Sequence, residues 1–195
     1  MINFTITREE LNELPIGGWE GETILIDKPE DVEPAIQAIN KETIIGIDTE
    51  TRPAFKKGVA YHISLIQIAT RDCTYLFRIN HVGLSAGLIK LFESEKIMKV
   101  GIDLNYDINL LQHVKRFTPR NVIELNSYCT QKGFLVMGLR KLSALILGIR
   151  ITKRQQTSNW EAETYTPAQI KYAATDAWAC RELFVRLIEN GILPD

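Results

Sequence analysis

Carboxylates recur in three separated stretches of this chain: Ile47-Asp48-Thr-Glu50, Gly101-Ile-Asp-Leu-Asn-Tyr-Asp107 and Tyr172-Ala-Ala-Thr-Asp176. Asp48, Glu50, Asp107 and Asp176, joined by the Tyr172 phenol, are the set of groups that two-metal cleavage of a phosphodiester needs. Mg²⁺ and Mn²⁺ take oxygen donors. Two such ions about 3.5–4 Å apart stabilise both the attacking and the leaving oxygen of an in-line displacement. Without cations the gathered carboxylates would repel one another and at least one pKa would rise, so metal binding should order and stabilise the site. A phenol with an ordinary pKa of about 10 stays protonated at neutral pH. Tyr172 is therefore suited to positioning a water rather than to taking its proton.

Each acid has a plainer reading when taken alone. Asp48 and Glu50 could be surface acids at a strand end. Asp107 lies near a helix start, where the dipole favours a carboxylate, and Asp103 reads as the cap or loop residue there. Tyr172 could be a core tyrosine beside a surface acid. Spacing argues for convergence: residues two apart on a strand share a face, and residues four apart on a helix do too.

Elements able to position these groups are legible in the apolar periodicity. Strands are expected at Glu22–Asp27, Thr43–Asp48, His62–Ala69, Thr74–Ile79 and Ile97–Ile102. The polar Thr70-Arg-Asp turn joins the third and fourth as an antiparallel hairpin. Helices are expected at Pro29–Ile39, Leu84–Phe92, Leu104–Val114, Asn121–Thr130 and Gly138–Leu147, the last closed by Gly148. The final helix starts at Thr166-Pro167-Ala-Gln169, a capping box with proline at the first position. Its Ala173, Ala174, Ala177 and Ala179 would let it approach a sheet closely. Residues 1–21 read as a loosely structured lead-in to one domain over 22–195. The fold class is α/β, with a mixed β-sheet flanked by helices.

At 195 residues the chain suits one core, and 45% hydrophobic with 24% charged residues excludes wholesale disorder. There is no internal repeat and no low-complexity linker. The first residues lack a basic start followed by an apolar run, and no apolar stretch reaches membrane-spanning length. Cys73, Cys129 and Cys180 are scattered, odd in number and without zinc-ligand spacing. They read as thiols of a reducing, cytoplasmic protein with no membrane partner. A net charge of −1 is low for a nucleic-acid binder, so local basic patches matter more than the total.

Taken together, the motifs resemble the DEDDy branch of the DnaQ-like 3′–5′ exonucleases, which have the ribonuclease H-like fold. The Werner syndrome protein exonuclease domain and the ribonuclease D catalytic domain are similar examples. Ile47-Asp48-Thr-Glu50-Thr-Arg-Pro53 with Ser64-Leu-Ile-Gln67 matches the first motif. Val100-Gly101 through Tyr106-Asp107 matches the second. Ser158-Asn-Trp160 with Gln169-Ile-Lys-Tyr172-Ala-Ala-Thr-Asp176-Ala matches the third. The similarity runs from about Glu22 to Leu187. It implies Asp48, Glu50, Asp107 and Asp176 as ligands to two Mg²⁺ or Mn²⁺, with Tyr172 orienting the water. The sister branch carries histidine five residues before the last Asp, where this chain has Lys171. Asp103 stands where relatives often have a neutral residue, which leaves Asp103 beside Asp107 as a candidate for that ligand.

The resemblance implies release of nucleoside 5′-monophosphates from 3′ ends, with DNA slightly favoured over RNA. Ribonuclease D-like processing of RNA 3′ ends is the alternative, and an inactive nucleic-acid-binding module a further one. Phosphates are gripped mainly by Arg, Lys and backbone amides. The loop pairs Lys56-Lys57 and Lys153-Arg154 are candidates, whereas Arg140-Lys141 reads as a solvated helix face. Phe55 or Tyr61 could stack on the terminal base. Trp160 reads as a residue that holds its loop in place, and His62, His81 and His113 as structural or surface residues.

Overall fold

A computed structural model describes residues 5–54 and 61–192. In chain order the elements are α1 (Arg8–Glu13), β1 (Glu22–Ile26), α2 (Pro29–Ile39), β2 (Ile44–Thr51), β3 (Ile63–Ala69), β4 (Cys73–Arg78), α3 (Ile79–Val82) and α4 (Ala86–Glu93). They continue as β5 (Met98–Gly101), α5 (Leu104–Val114), β6 (Val122–Glu124), α6 (Leu125–Gln131), α7 (Leu139–Leu147) and α8 (Pro167–Glu189).

Among the described residues the strands form one sheet in the order β1-β4-β3-β2-β5-β6. β3 runs antiparallel to both β2 and β4, and the other pairings are parallel. The hairpin forms as expected: the Thr70 amide donates to the Cys73 carbonyl at 2.9 Å. β2 is thus central, with neighbours on both sides, as its apolar Ile44-Ile45-Gly46-Ile47 run requires.

Alternation along β2 sends its side chains to two layers. Ile45 and Ile47 join Ile66 and Ile68 in a core closed by α2, α4 and α5, including Ile36, Leu88 and Leu104. On the opposite face α6, α7 and α8 pack through Leu125, Leu142, Cys180 and Leu183. Each fully buried Leu or Ile in these layers contributes about 1.5–3 kcal/mol. All three cysteines are buried and free. No described helix is long and apolar enough to cross a membrane.

Two expectations need correction. Residues 121–130 do not form one helix. Asn121 takes a left-handed conformation (φ 50°), and Val122–Glu124 then pairs in parallel with β5. Only from Leu125 does the chain turn helical, with the Glu124 side chain accepting from the Asn126 amide at 3.2 Å. The β-branched Val122-Ile123 pair fits the open edge of β5 better than a helix interior, so tertiary pairing overrides the helical spacing.

The lead-in is also more ordered than its composition indicates. Thr7 and Glu10 form a reciprocal capping box that starts α1. Downstream, the Arg150 amide donates to the Pro15 carbonyl at 2.8 Å. The Trp19 amide donates to Thr175 Oγ1 at 3.1 Å, and its ring lies 6.3 Å from that of Trp178.

Candidate active site

The site lies at the C-terminal end of β2, where a helix from each layer reaches the sheet. Asp48 and Glu50 point to the α8 face, as the two-residue spacing predicts. The register with β3 shifts between Glu50 and Thr51, with Glu50 opposite Leu65 and Thr51 opposite Ile63, so the regular ladder is interrupted where the second carboxylate emerges.

α8 carries its two groups to the same place. The expected capping box forms: Gln169 N–H donates to Thr166 Oγ1 at 3.2 Å, and the Thr166 amide donates to Gln169 Oε1 at 3.0 Å. Ala173, Ala174, Ala177 and Ala179 are fully buried, which brings the helix backbone against β2. Gly46 completes that approach, since a Cβ there would lie 2.0 Å from the Ala177 carbonyl oxygen. One residue before Ala177, Asp176 therefore lands beside β2. Ligand-competent oxygens of Asp48, Glu50 and Asp176 all lie within 4.8 Å of one another.

Asp107 approaches from the other layer. Gly101 ends β5 close to β2, with room for no Cβ: one would sit 2.7 Å from the Ile47 carbonyl oxygen. Asp103 follows in the left-handed conformation (φ 56°), is exposed and makes no capping bond. Glu124 from β6 supplies that cap, accepting from the Leu104 amide at 2.9 Å. One turn into α5, Asp107 is half-buried and hydrogen-bonded by the Thr49 side chain. It lines the same cavity, about 340 Å³ in volume, as Asp48, Glu50, Tyr172 and Asp176. It stands outside the compact trio. Asp103 also lines this cavity.

Tyr172 is buried, with its ring 6.1 Å from that of Trp160. The connection before α8 fixes this packing. Arg78, almost fully buried, donates to the carbonyls of Glu163 at 2.7 Å and of Ala162, and its guanidinium lies 4.5 Å from the Tyr165 ring centroid. The Tyr165 hydroxyl donates to the Trp160 carbonyl at 2.6 Å. Trp160 is fully enclosed, which is the loop-holding position expected of it.

The electrostatics follow from burial without neutralisation. None of the five groups enters an ion pair among the described residues. Desolvation, then the charges of Asp176 and Asp107, push Asp48 well above the carboxylate range. Desolvation and the Asp48 charge raise Glu50 to about 10. Burial raises Asp107 to about 7 against the Thr49 hydrogen bond. Burial likewise raises Asp176 to about 7, opposed by the Tyr172 hydrogen bond and the Lys153 charge. Tyr172 is pushed far above its ordinary value, mainly by burial and then by Asp176. A site of crowded hard oxygen donors that resist losing their protons is one that a divalent cation would stabilise.

The remaining expected residues separate. Lys153 lines the carboxylate cavity. Arg154 lines a neighbouring one instead. Phe55, Lys56 and Lys57 lie outside the described residues. Tyr61 is absent from the cavity wall, and its ring is covered by the Arg52 guanidinium at 5.1 Å. Arg140, read from sequence as a solvated position, is half-buried and lines the cavity. That correction has a simple cause: α7 presents its N-terminus, not its flank, to the site. Sequence reasoning also passed over Tyr106, which lines the cavity and is 65% exposed.

A 3′–5′ exonuclease family model matches residues 23–191. A 3′–5′ exonuclease of Arabidopsis thaliana is 33% identical over 158 residues, 77% of this chain and 54% of that protein. Ribonuclease D of Gluconacetobacter diazotrophicus is 26% identical over 171 residues, 86% of this chain and 42% of that one. The chain spans about half, or less, of the length of these curated relatives. Among solved structures, the Aedes aegypti Nibbler EXO domain superposes with a TM-score of 0.82 at 22% identity, covering 92% of this chain and 95% of that one. The fold is therefore ribonuclease H-like. Since the family match spans nearly all of the sheet and α8 together with the acidic cluster between them, this chain belongs to the 3′–5′ exonuclease family.

Proposed function

We propose that the chain is a DEDDy-type 3′–5′ exonuclease that hydrolyses the terminal phosphodiester bond of nucleic-acid 3′ ends. Asp48, Glu50, Asp107 and Asp176 would hold two Mg²⁺ or Mn²⁺. When bound, these cations would stabilise charge on the attacking and leaving oxygens. Water attacks the phosphorus of the last nucleotide, and the bond to the preceding 3′ oxygen breaks. That oxygen leaves as the new 3′ hydroxyl, and a nucleoside 5′-monophosphate is released.

Tyr172 orients the attacking water. Its phenol stays protonated far above neutral pH, and it lines the cavity beside Asp176. The convergence of Asp48, Glu50 and Asp176 within 4.8 Å is the observation that carries this reading. The substrate is DNA slightly ahead of RNA, and the site of action is the cytoplasm, which the three free thiols support.

A labelled single strand incubated with Mg²⁺, Mn²⁺ or EDTA tests the activity, with DNA and RNA in parallel. Stepwise shortening in metal and none in EDTA is expected. Binding without metal-dependent shortening would make the chain a nucleic-acid-binding module instead.

A further inference from the structure

The carboxylate cavity adjoins a second cleft of about 610 Å³, with which it shares Gly138, Arg140 and Lys153. One wall of this cleft is α1 with its capping residue, through Thr7, Arg8 and Leu11, and another is the start of α7. Arg8, Arg140, Lys141 and Lys153 line it, and no carboxylate does. None of these four cations enters an ion pair among the described residues. Arg140 Nε is buried without a hydrogen-bond partner. Met137, 60% exposed, adds an apolar surface.

A different cavity also borders the carboxylates through Ile151, Thr152 and Tyr172. Its charge is largely compensated, because Lys171 there is paired with Glu20. The two exits therefore differ in kind. Uncompensated positive charge in a concave channel attracts a polyanion, and a backbone of phosphates is held mainly by such side chains.

We propose that the cleft between α1 and α7 is an upstream subsite that grips the strand leading to the reacting 3′ end. This rests on the exonuclease reading above. Arg140 and Lys153, at the shared boundary, hold the phosphates next to the scissile bond. Arg8 and Lys141 hold those further along, and a base packs on Met137. The N-terminal helix is then part of the substrate surface. A chain with net charge −1 then grips nucleic acid through four unpaired cations that share this one channel.

The test compares hydrolysis of a dinucleotide, which fills only the carboxylate cavity, with that of a single strand of about twelve nucleotides. Wild-type protein should prefer the longer substrate. In an Arg8→Ala/Lys141→Ala protein the preference in kcat/KM should fall about ten-fold or more. The slope of log affinity against log salt should fall by about 1.4, two contacts at about 0.7 each. Arg8→Lys/Lys141→Arg should restore both. An unchanged preference and slope in the double variant would overturn the subsite. So would loss of the preference in Arg154→Ala alone, which would send the strand through the other cavity. Failure of wild-type protein to hydrolyse either substrate would instead overturn the exonuclease reading.

Discussion

The carbonyl oxygen of Ala177 occupies the space a side chain at Gly46 would need, 2.0 Å from an ideal Cβ. The two backbones meet without a side chain between them. That contact sets the depth of α8 against β2, and so the separation of Asp176 from Asp48 and Glu50.

Gly46→Ala should therefore damage stability and activity together. Backbone lies on the obstructing side, with the Arg181 amide also 2.7 Å away, so no side chain can swing clear. A cost at or above the upper end of the usual 1–3 kcal/mol for overpacking is expected. Displacing Asp176 by even about 1 Å should lower turnover on the order of 10²-fold in the protein that remains folded. Denaturant unfolding and metal-dependent hydrolysis on the same sample check this. Wild-type stability would contradict it.

Tyr172→Phe isolates the hydroxyl. The ring keeps its packing on Trp160, 6.1 Å away, so the melting temperature should change little. Turnover should fall by roughly 10²–10⁴-fold, the scale of a positioned proton-transfer group. Near-wild-type kcat would remove the water-orienting role.

Metal-free stability should fall as pH rises. Each site carboxyl holds its proton more tightly in the folded chain than in the unfolded one: Glu50 to about 10, Asp107 and Asp176 to about 7, and Asp48 well above the ordinary range. That contribution is complete below the ordinary carboxylate values near 4 and is lost as pH rises through the folded ones. In EDTA the melting temperature should decline from about pH 5 through pH 8, by about 2–4 °C for each kcal/mol. Mg²⁺ should flatten the decline by favouring the ionised form. Identical pH profiles with and without Mg²⁺ would contradict the self-repelling cluster.

Arg78→Met tests the anchor of the loop before α8. It would strip the Ala162 and Glu163 carbonyls of a buried donor, at about 1–3 kcal/mol for each group left unsatisfied. Hydrogen exchange should speed up over residues 158–166 while β5 stays protected. Uniform acceleration across the chain would point to global destabilisation instead.

Much of the site was readable because its rules are local. Two-residue spacing put Asp48 and Glu50 on one face. Four-residue spacing did the same for Tyr172 and Asp176, and the alanines foretold close contact with the sheet. Both ends of α2 and α5 followed from periodicity, and the start of α8 from the Thr166-Pro167 signal. What failed depends on neighbours distant in sequence. Val122-Ile123 became a strand because β5 offered an edge. Asp103 does hold the cap position of α5, but the capping bond itself comes from Glu124, because β6 passes beside it. Arg140 reached the cavity because of how α7 is oriented. The α1 capping box, Thr7 with Glu10, was a local signal left unused.

The central claim, that these carboxylates act together through divalent cations, is tested most directly by one comparison. A 5′-labelled single strand is incubated in Mg²⁺ with wild-type protein, with Asp48→Asn and with Asp176→Asn, each confirmed as folded by its melting curve. A ladder of products shortened one nucleotide at a time is expected from the wild-type protein, and intact strand from both variants. Shortening by either variant at the wild-type rate would contradict the account.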